Sequence, residues 1–480
     1  MNKKNTLRTH QFFKKMAFTL CFSTFVHTHI HAQLNQSAKT KLVLQKKNSK
    51  EKSSMNQNDI PLRSVELSTG HQLIVMDKNL KRNVKIVFDF IIPLKDKNEK
   101  TYAAGLSDLC ETYFSEAYPK GLSRIDFQKS LVMDNVSINI GKSVDRFTIT
   151  LNCNDDKITE SMDKLKPLLL QSDISNKSFE LLKQKQKMSL QQLIHDPQTM
   201  AKEKFFNHLL GENADYVDAI EPALASLDSI SKEDIQNFIQ RLISTQTLKV
   251  IFIGESLTET HQENIEKFIK QLPKAESVSN IIEPFTYPTK ESVAHLDAVS
   301  PQAVVLFAHP ALSKSHPDFL KFHVLKSILG SMPFESRIWK EVREKRGLAY
   351  SVSIRSYRDN IRQFTVGSLG TNPKNIDAVI EIIQKEWDIR DKNKITKEEL
   401  ALHKDFIIGS YLLNFDKSNQ AIRSILDYTR QGFTIEDIKS MPSLIQNITL
   451  EEINRVAKDH LQKDKLYFFS YGKKDQGESK

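Results

Sequence analysis

Apolar and polar positions along the chain fall into two stretches that end alike. From Val65 the sequence VELSTGHQLIV alternates on either side of Thr69-Gly70, the pattern of a hairpin. Val84–Ile92, VKIVFDFII, is a third strand with an almost continuous apolar run. At Tyr102–Ala117 the period changes: Leu106, Leu109, Cys110, Tyr113 and Phe114 recur on one side of a helix. Strands follow at Val136–Ile140 and Phe147–Cys153. The pattern is then helical over about 156–245, broken at Pro197 and Pro222, and a buried strand closes the stretch at Leu248–Gly254.

The second stretch repeats that ending. Ser231-Lys-Glu-Asp-Ile235 and Thr449-Leu-Glu-Glu-Ile453 both have the form of a capping box opening a helix. Each isoleucine is followed 19 residues later by a glycine that ends an apolar strand, LKVIFIG at Gly254 and LYFFSYG at Gly472. Matching order and spacing predict a duplicated unit. Pro273, Pro284 and Pro288 mark a linker between the copies, which would hinge them. The expected organisation is a signal at 1–32, a leader at 33–59, a first half at 60–278, a linker at 279–297 and a second half at 298–475. Strands followed by a block of helices predict an α+β fold, each half a mixed or antiparallel sheet with helices on one face.

The 480 residues are 39% apolar and 27% charged, with 14 glycines and 15 prolines, which excludes collagen-like, disulfide-scaffold and wholly disordered classes. No apolar run is long enough to span a bilayer. Residues 1–32 hold Lys3, Lys4, Arg8, Lys14 and Lys15 without an acid, and so carry half of the formal charge of +10. The remaining basic residues are dispersed among acids, so no nucleic-acid footprint is expected. The cationic start, the eleven-residue apolar run Met16–Val26 and Ala32 before Gln33 read as a signal peptide, hence a periplasmic or secreted protein. Only Cys110 and Cys153 remain beyond it. One bridge or two buried free thiols are both open, and a disulfide framework is excluded.

The densest local motif is Phe334-Glu-Ser-Arg-Ile338 followed by Val342-Arg-Glu-Lys-Arg-Gly-Leu-Ala-Tyr350-Ser-Val352, with Ile328-Leu-Gly330 upstream and Asn414-Phe-Asp-Lys-Ser418 downstream. It resembles the C-terminal half of the insulinase/pitrilysin (inverzincin) zinc peptidases, in the branch that includes the processing peptidases. The resemblance extends over 60–475 and is weaker in the first half. It implies that Arg343 and Tyr350, seven residues apart, bind substrate by reaching across to a catalytic half. The guanidinium would offer a rigid fork of donors to peptide carbonyls, and the phenol would stabilise charge developing on the scissile carbonyl oxygen.

The family's zinc motif, H-x-x-E-H on a helix with a distal glutamate, has no intact counterpart. Aligned on Gly105-Leu106, Asp108 and Thr112 stand in place of the histidines, Glu111 is kept, and Gln192 lies where the distal glutamate is expected. One or two carboxylates and an amide are a poor zinc set. The chain is therefore expected to hold no metal and no catalytic residues of its own. The resemblance implies a zinc-bearing paralogous subunit as partner, an unstructured peptide as substrate, and a pseudoenzyme role within a heterodimeric endopeptidase. Two other readings stand beside it: a stand-alone structural or binding protein on the same shell, and an active metalloendopeptidase with an atypical site. His195, His208, His309, His316, His323 and His403 show no metal-ligand spacing and read as ordinary polar positions.

Overall fold

In a computed structural model of the chain, the described residues are 60–93, 100–211, 220–274, 287, 292–298, 300, 302–358, 363–389 and 393–473. The expected signal and leader lie outside them, as does much of the expected linker.

The strands build two sheets. The first comprises β1 (Leu62–Glu66), β2 (Gln72–Asp77), β3 (Asn83–Ile91), β4 (Ser137–Lys142), β5 (Arg146–Asn154) and β6 (Lys249–Gly254), in the order β1-β2-β6-β3-β5-β4. The second comprises β7 (Ser292–Leu296), β8 (Ala303–Pro310), β9 (Ala349–Arg358), β10 (Gln363–Thr371) and β11 (Tyr467–Tyr471), in the order β9-β10-β8-β11-β7. Of these, β7, β9 and β10 are not expected from the sequence. β6 runs parallel to β2 and antiparallel to β3, and β11 runs parallel to β7 and antiparallel to β8. The duplication read from capping boxes is therefore a duplication of topology. β7 lies within the expected linker: its five residues complete the second sheet as β2 does the first.

Helices of the first half are α1 (Leu106–Tyr113), α2 (Arg124–Met133), α3 (Ile158–Leu170), α4 (Asn176–Ile194), α5 (Pro197–Leu210), α6 (Ile220–Ser226), α7 (Lys232–Leu242) and α8 (Glu259–Lys270). The second half contributes α9 (Phe319–Lys326), α10 (Ile376–Trp387), α11 (Lys397–Asp416), α12 (Ser418–Arg430), α13 (Ile435–Gln446) and α14 (Leu450–His460). Both capping boxes form, on α7 and on α14. α1 is shorter than its periodic window because it starts only after Gly105, whose φ of +78° is a left-handed conformation that glycine tolerates.

Both faces of the central strands of each sheet are buried, which explains their nearly continuous apolar runs. Leu73, Val75, Phe88 and Phe252 pack with α1, α3, α7 and α8 in one core. The alternate residues Ile74, Met76, Val87 and Ile251 enter a second core with Ile407, Phe415 and Ile438 from the helices of the other half. In β8, Val305 and Phe307 face that second core, whereas Val304, Leu306 and Ala308 pack on Phe205, Phe206 and Leu209 of α5. Each half thus covers one face of its own sheet, and the other half covers the second. This shared core joins the halves as one body, in place of two halves hinged at the linker.

Polar ties reinforce the junction. Asp89 on β3 is fully buried and accepts from Arg146 at 2.8 and 2.5 Å, from Thr148 at 2.9 Å and from Arg430 of α12 at 2.5 Å. Lys249 Nζ donates to Thr429 O at 2.7 Å, and burial, with Arg146 nearby, pushes its ammonium down to about 8. Lys78 Nζ reaches Phe415 O at 3.0 Å. Cys110 and Cys153 are both free and buried. Burial raises both thiols, Cys153 to about 11, so neither is a nucleophile at neutral pH.

Candidate functional site

The helix expected to carry the metal motif is α1, and the sheet edge beside it supplies a residue that the motif alone does not reveal. Lys142, at the end of β4, sets its Nζ 3.0 Å from Asp108 Oδ1, with its side chain only 9% exposed. Its backbone N–H donates to Glu111 Oε1 at 3.2 Å. Burial raises the Glu111 carboxyl above its ordinary value, with Asp108 adding to the rise and Lys142 opposing it. Thr112 bonds within its own helix, its Oγ1 donating to Leu109 O at 3.1 Å. Gln192 is exposed near the end of α4. The residue of that helix that reaches α1 is Gln186, whose Nε2 lies 3.4 Å from Gly105 O.

The structure therefore brings Asp108 and Glu111 together around Lys142 and leaves Thr112 and Gln192 apart from them. The family implies zinc at this place, and the residues present do not fit it. No imidazole or thiolate is in the set, and the hydroxyl is already engaged. An ammonium also supplies the positive charge that the two carboxylates would otherwise seek from a cation.

The second candidate region lies between α9 and α10. The chain makes π-helical turns at Ser327–Ser331 and Lys340–Lys345, a geometry that is rare and concentrated at functional sites. Phe334, which opens the motif, holds φ at +69°, a strained conformation for an aromatic residue, and its ring meets Trp339 edge-on at 5.0 Å. Arg337 has a scaffold role: it binds Glu399 at 2.6 and 2.8 Å and Asn393 O at 2.8 Å, tying the motif to α11.

Arg343 is different. It is half-buried in the second π turn, with its guanidinium over the Trp339 ring at 4.6 Å, a contact that holds the fork flat. Gly347, at φ +63°, closes the turn and its N–H donates to Arg343 O at 3.1 Å. β9 begins two residues later. Ala349 pairs with Thr371 and Val352 with Leu369, so Tyr350 and Ser351 bulge opposite Gly370 alone. Bulges of this kind redirect strand residues beside sites. The sequence pair thus maps onto a π turn and a bulge joined by one glycine turn; the Tyr350 side chain lies outside the described residues.

Among the histidines, the fold unites two that the sequence kept apart. His316 and His460 flank Asp318, the three ligand atoms lying within 4.8 Å of one another. The cluster is already satisfied as an ion-pair lock between α9 and α14. Arg455 donates to both oxygens of Asp318, at 2.6 and 3.2 Å, Lys321 lies 3.3 Å away, and His316 Nδ1 accepts the Asp318 N–H at 3.1 Å. Arg455 above all holds the Asp318 carboxyl down at about 2.

These features can be set against known proteins. Residues 229–407 match the family described as "Peptidase M16 inactive domain". That span contains Arg343 and Tyr350 and none of Asp108, Glu111, Thr112 and Gln192. A Helicobacter pylori protein named "Non-peptidase homolog YmxG" is 27% identical over 391 residues, covering 80% of this chain and 87% of that one. The chain is similar to M16 peptidase homologues, with residues 229–407 matching their inactive domain. Solved structures agree on the fold. A peptidase M16 inactive domain from Pseudomonas fluorescens superposes with a TM-score of 0.75 at 19% identity, over 86% of this chain and 98% of that one. The periplasmic protease PqqL from Escherichia coli gives 0.69 at 15% identity, over 86% of this chain but 46% of its own. The chain therefore matches about half of that larger protein. No helix among the described residues is long and apolar enough to cross a membrane.

Proposed function

We propose that the protein is an exported, non-catalytic M16 subunit that binds an extended peptide and completes the active site of a zinc-bearing paralogue. The observation that carries this reading is the contrast between the two regions. The metal position is refilled by the Lys142 ion pair, while the strained motif around Arg343 keeps its π turn, its ring contact and its bulge. In this reading Arg343 donates to substrate carbonyls and Tyr350 steadies the scissile one. The partner's zinc supplies the hydrolytic water, and the present chain positions the peptide. Export rests on the character of residues 1–32, and it agrees with the fold shared with a periplasmic protease.

The test is to mix the mature chain with a paralogue from the same genome that carries an intact H-x-x-E-H motif, and to follow a fluorogenic unstructured peptide. Hydrolysis is expected from the mixture and not from either chain alone. Arg343→Ala is expected to lower the rate of the mixture by about 10²-fold while co-elution of the two chains persists. A mixture no faster than the paralogue alone, or an indifferent Arg343→Ala, would favour a stand-alone binding or structural role on the same shell.

A further inference from the structure

A cavity of about 460 Å³ lies where the two halves meet. The β4–β5 turn, Ser143–Asp145, forms its wall on the first-half side, and α9, α11, α12, α13 and Ser356 of β9 form the rest. Ile407, Tyr411, Met441 and Ile445 give it an apolar lining. Ser424, Asp427, Tyr428 and Gln431 line it from α12 and its C-terminal cap. Their i, i+3, i+4, i+7 spacing puts them on a single helix face.

Asp427 is unlike the other inter-half carboxylate. Asp89 is saturated by two arginines and a threonine, whereas Asp427 has no hydrogen bond or ion pair among the described residues. It is open to water inside the cavity. The surrounding walls nevertheless push its carboxyl above the ordinary value, against the pull of Arg430 and Arg423. The cations on the walls already have partners: Lys326 donates to Ser356, and Arg430 is held by Asp89. An incoming anion would have to displace those bonds, while an incoming cation meets an unengaged carboxylate.

We propose that this cavity binds a primary amine on an aromatic or aliphatic body, its ammonium on Asp427 and its body against Tyr411, Met441 and Ile445. A charge-assisted hydrogen bond to a carboxylate in a partly dry site is among the stronger polar contacts available. The Tyr428 ring adds an electron-rich face for the ammonium. The volume suits a small molecule or a single basic side chain, with an apolar lining and few polar anchors as ligand sites usually have. The inference is independent of any role in peptide cleavage.

Benzylamine, benzyl alcohol and benzoate differ chiefly in the group offered to Asp427, and calorimetry on the full mature chain distinguishes them. Benzylamine is expected to bind with a Kd of about 1 mM, as suits a ligand of its size, and the alcohol and the acid at least tenfold more weakly. Asp427→Asn, at an open position, is expected to fold normally and weaken benzylamine at least tenfold. Ile445→Trp, which fills the apolar end, is expected to remove binding. Equal affinity for amine and alcohol, unchanged affinity in Asp427→Asn, or no binding of benzylamine at 20 times the expected Kd would each overturn the proposal.

Discussion

Asp89→Ala is expected to lower the free energy of unfolding by about 3–5 kcal/mol, the loss typical when one member of a buried ion network is removed. The reason is the company Asp89 keeps. Arg146 is almost wholly buried and Arg430 partly so, and both donate to this one carboxylate. Without it two guanidinium groups remain at the junction with only the Thr148 and Ser143 hydroxyls and the more distant Asp427 to turn to, and Lys249 adds a third positive charge. Arg430→Ala should be milder, because Asp89 and Arg146 still pair. Urea unfolding checks both, with the slope unchanged if the native and denatured states keep their compactness. A loss below about 1 kcal/mol for Asp89→Ala would mean that the arginines find other partners and that the junction is held by its apolar core alone.

The second large effect is acid lability. His309 is buried, its Nδ1 donating to Pro310 O at 2.7 Å while Nε2 accepts the Gln462 N–H at 3.3 Å. His403 is buried with Nδ1 against Ser327 Oγ at 2.9 Å and, among the described residues, no hydrogen-bond partner for Nε2. Burial pushes each imidazole down to about 4 from the ordinary 6.5. Above pH 6.5 neither state binds the proton, so the groups do not affect stability. Between 6.5 and 4 the unfolded chain takes up protons that the folded chain refuses, and stability falls by about 3 kcal/mol per histidine by pH 4. The Asp318 ion pairs add a loss only lower, as pH falls from the ordinary carboxyl value towards about 2. Denaturation midpoints at pH 7.5, 6, 5 and 4.5 should therefore drop steeply, and His403→Gln should flatten the slope. A midpoint constant from pH 7 to 4.5 would contradict this account.

Much of the architecture was legible in the sequence because it is encoded locally. Capping boxes at Ser231 and Thr449, each 23 residues before the glycine that ends its strand, mark helix-to-strand units, and both form. The burial of α1 followed from five apolar residues at helical spacing. What escaped depends on distant partners. The second face of sheet one is covered by helices some 300 residues away, and α5, read simply as one of the first-half helices, lies on the other sheet. The same holds at the sites. The Arg343–Tyr350 spacing is visible in one line of text, whereas the compensation of Asp108 by Lys142 requires knowing that β4 ends beside α1. Asp427 had no signal at all, since an unpaired carboxylate in a cavity looks in sequence like any exposed helix residue.

Zinc per chain is the most direct measure of the central claim, that the metal position has been converted to an ion pair. Mature protein, purified without a metal-binding tag and equilibrated with excess Zn²⁺ before desalting, is expected to retain well under 0.1 zinc per chain on the order of background. A stoichiometry near one, lost in Glu111→Gln, would contradict the claim and make this chain a metallopeptidase in its own right.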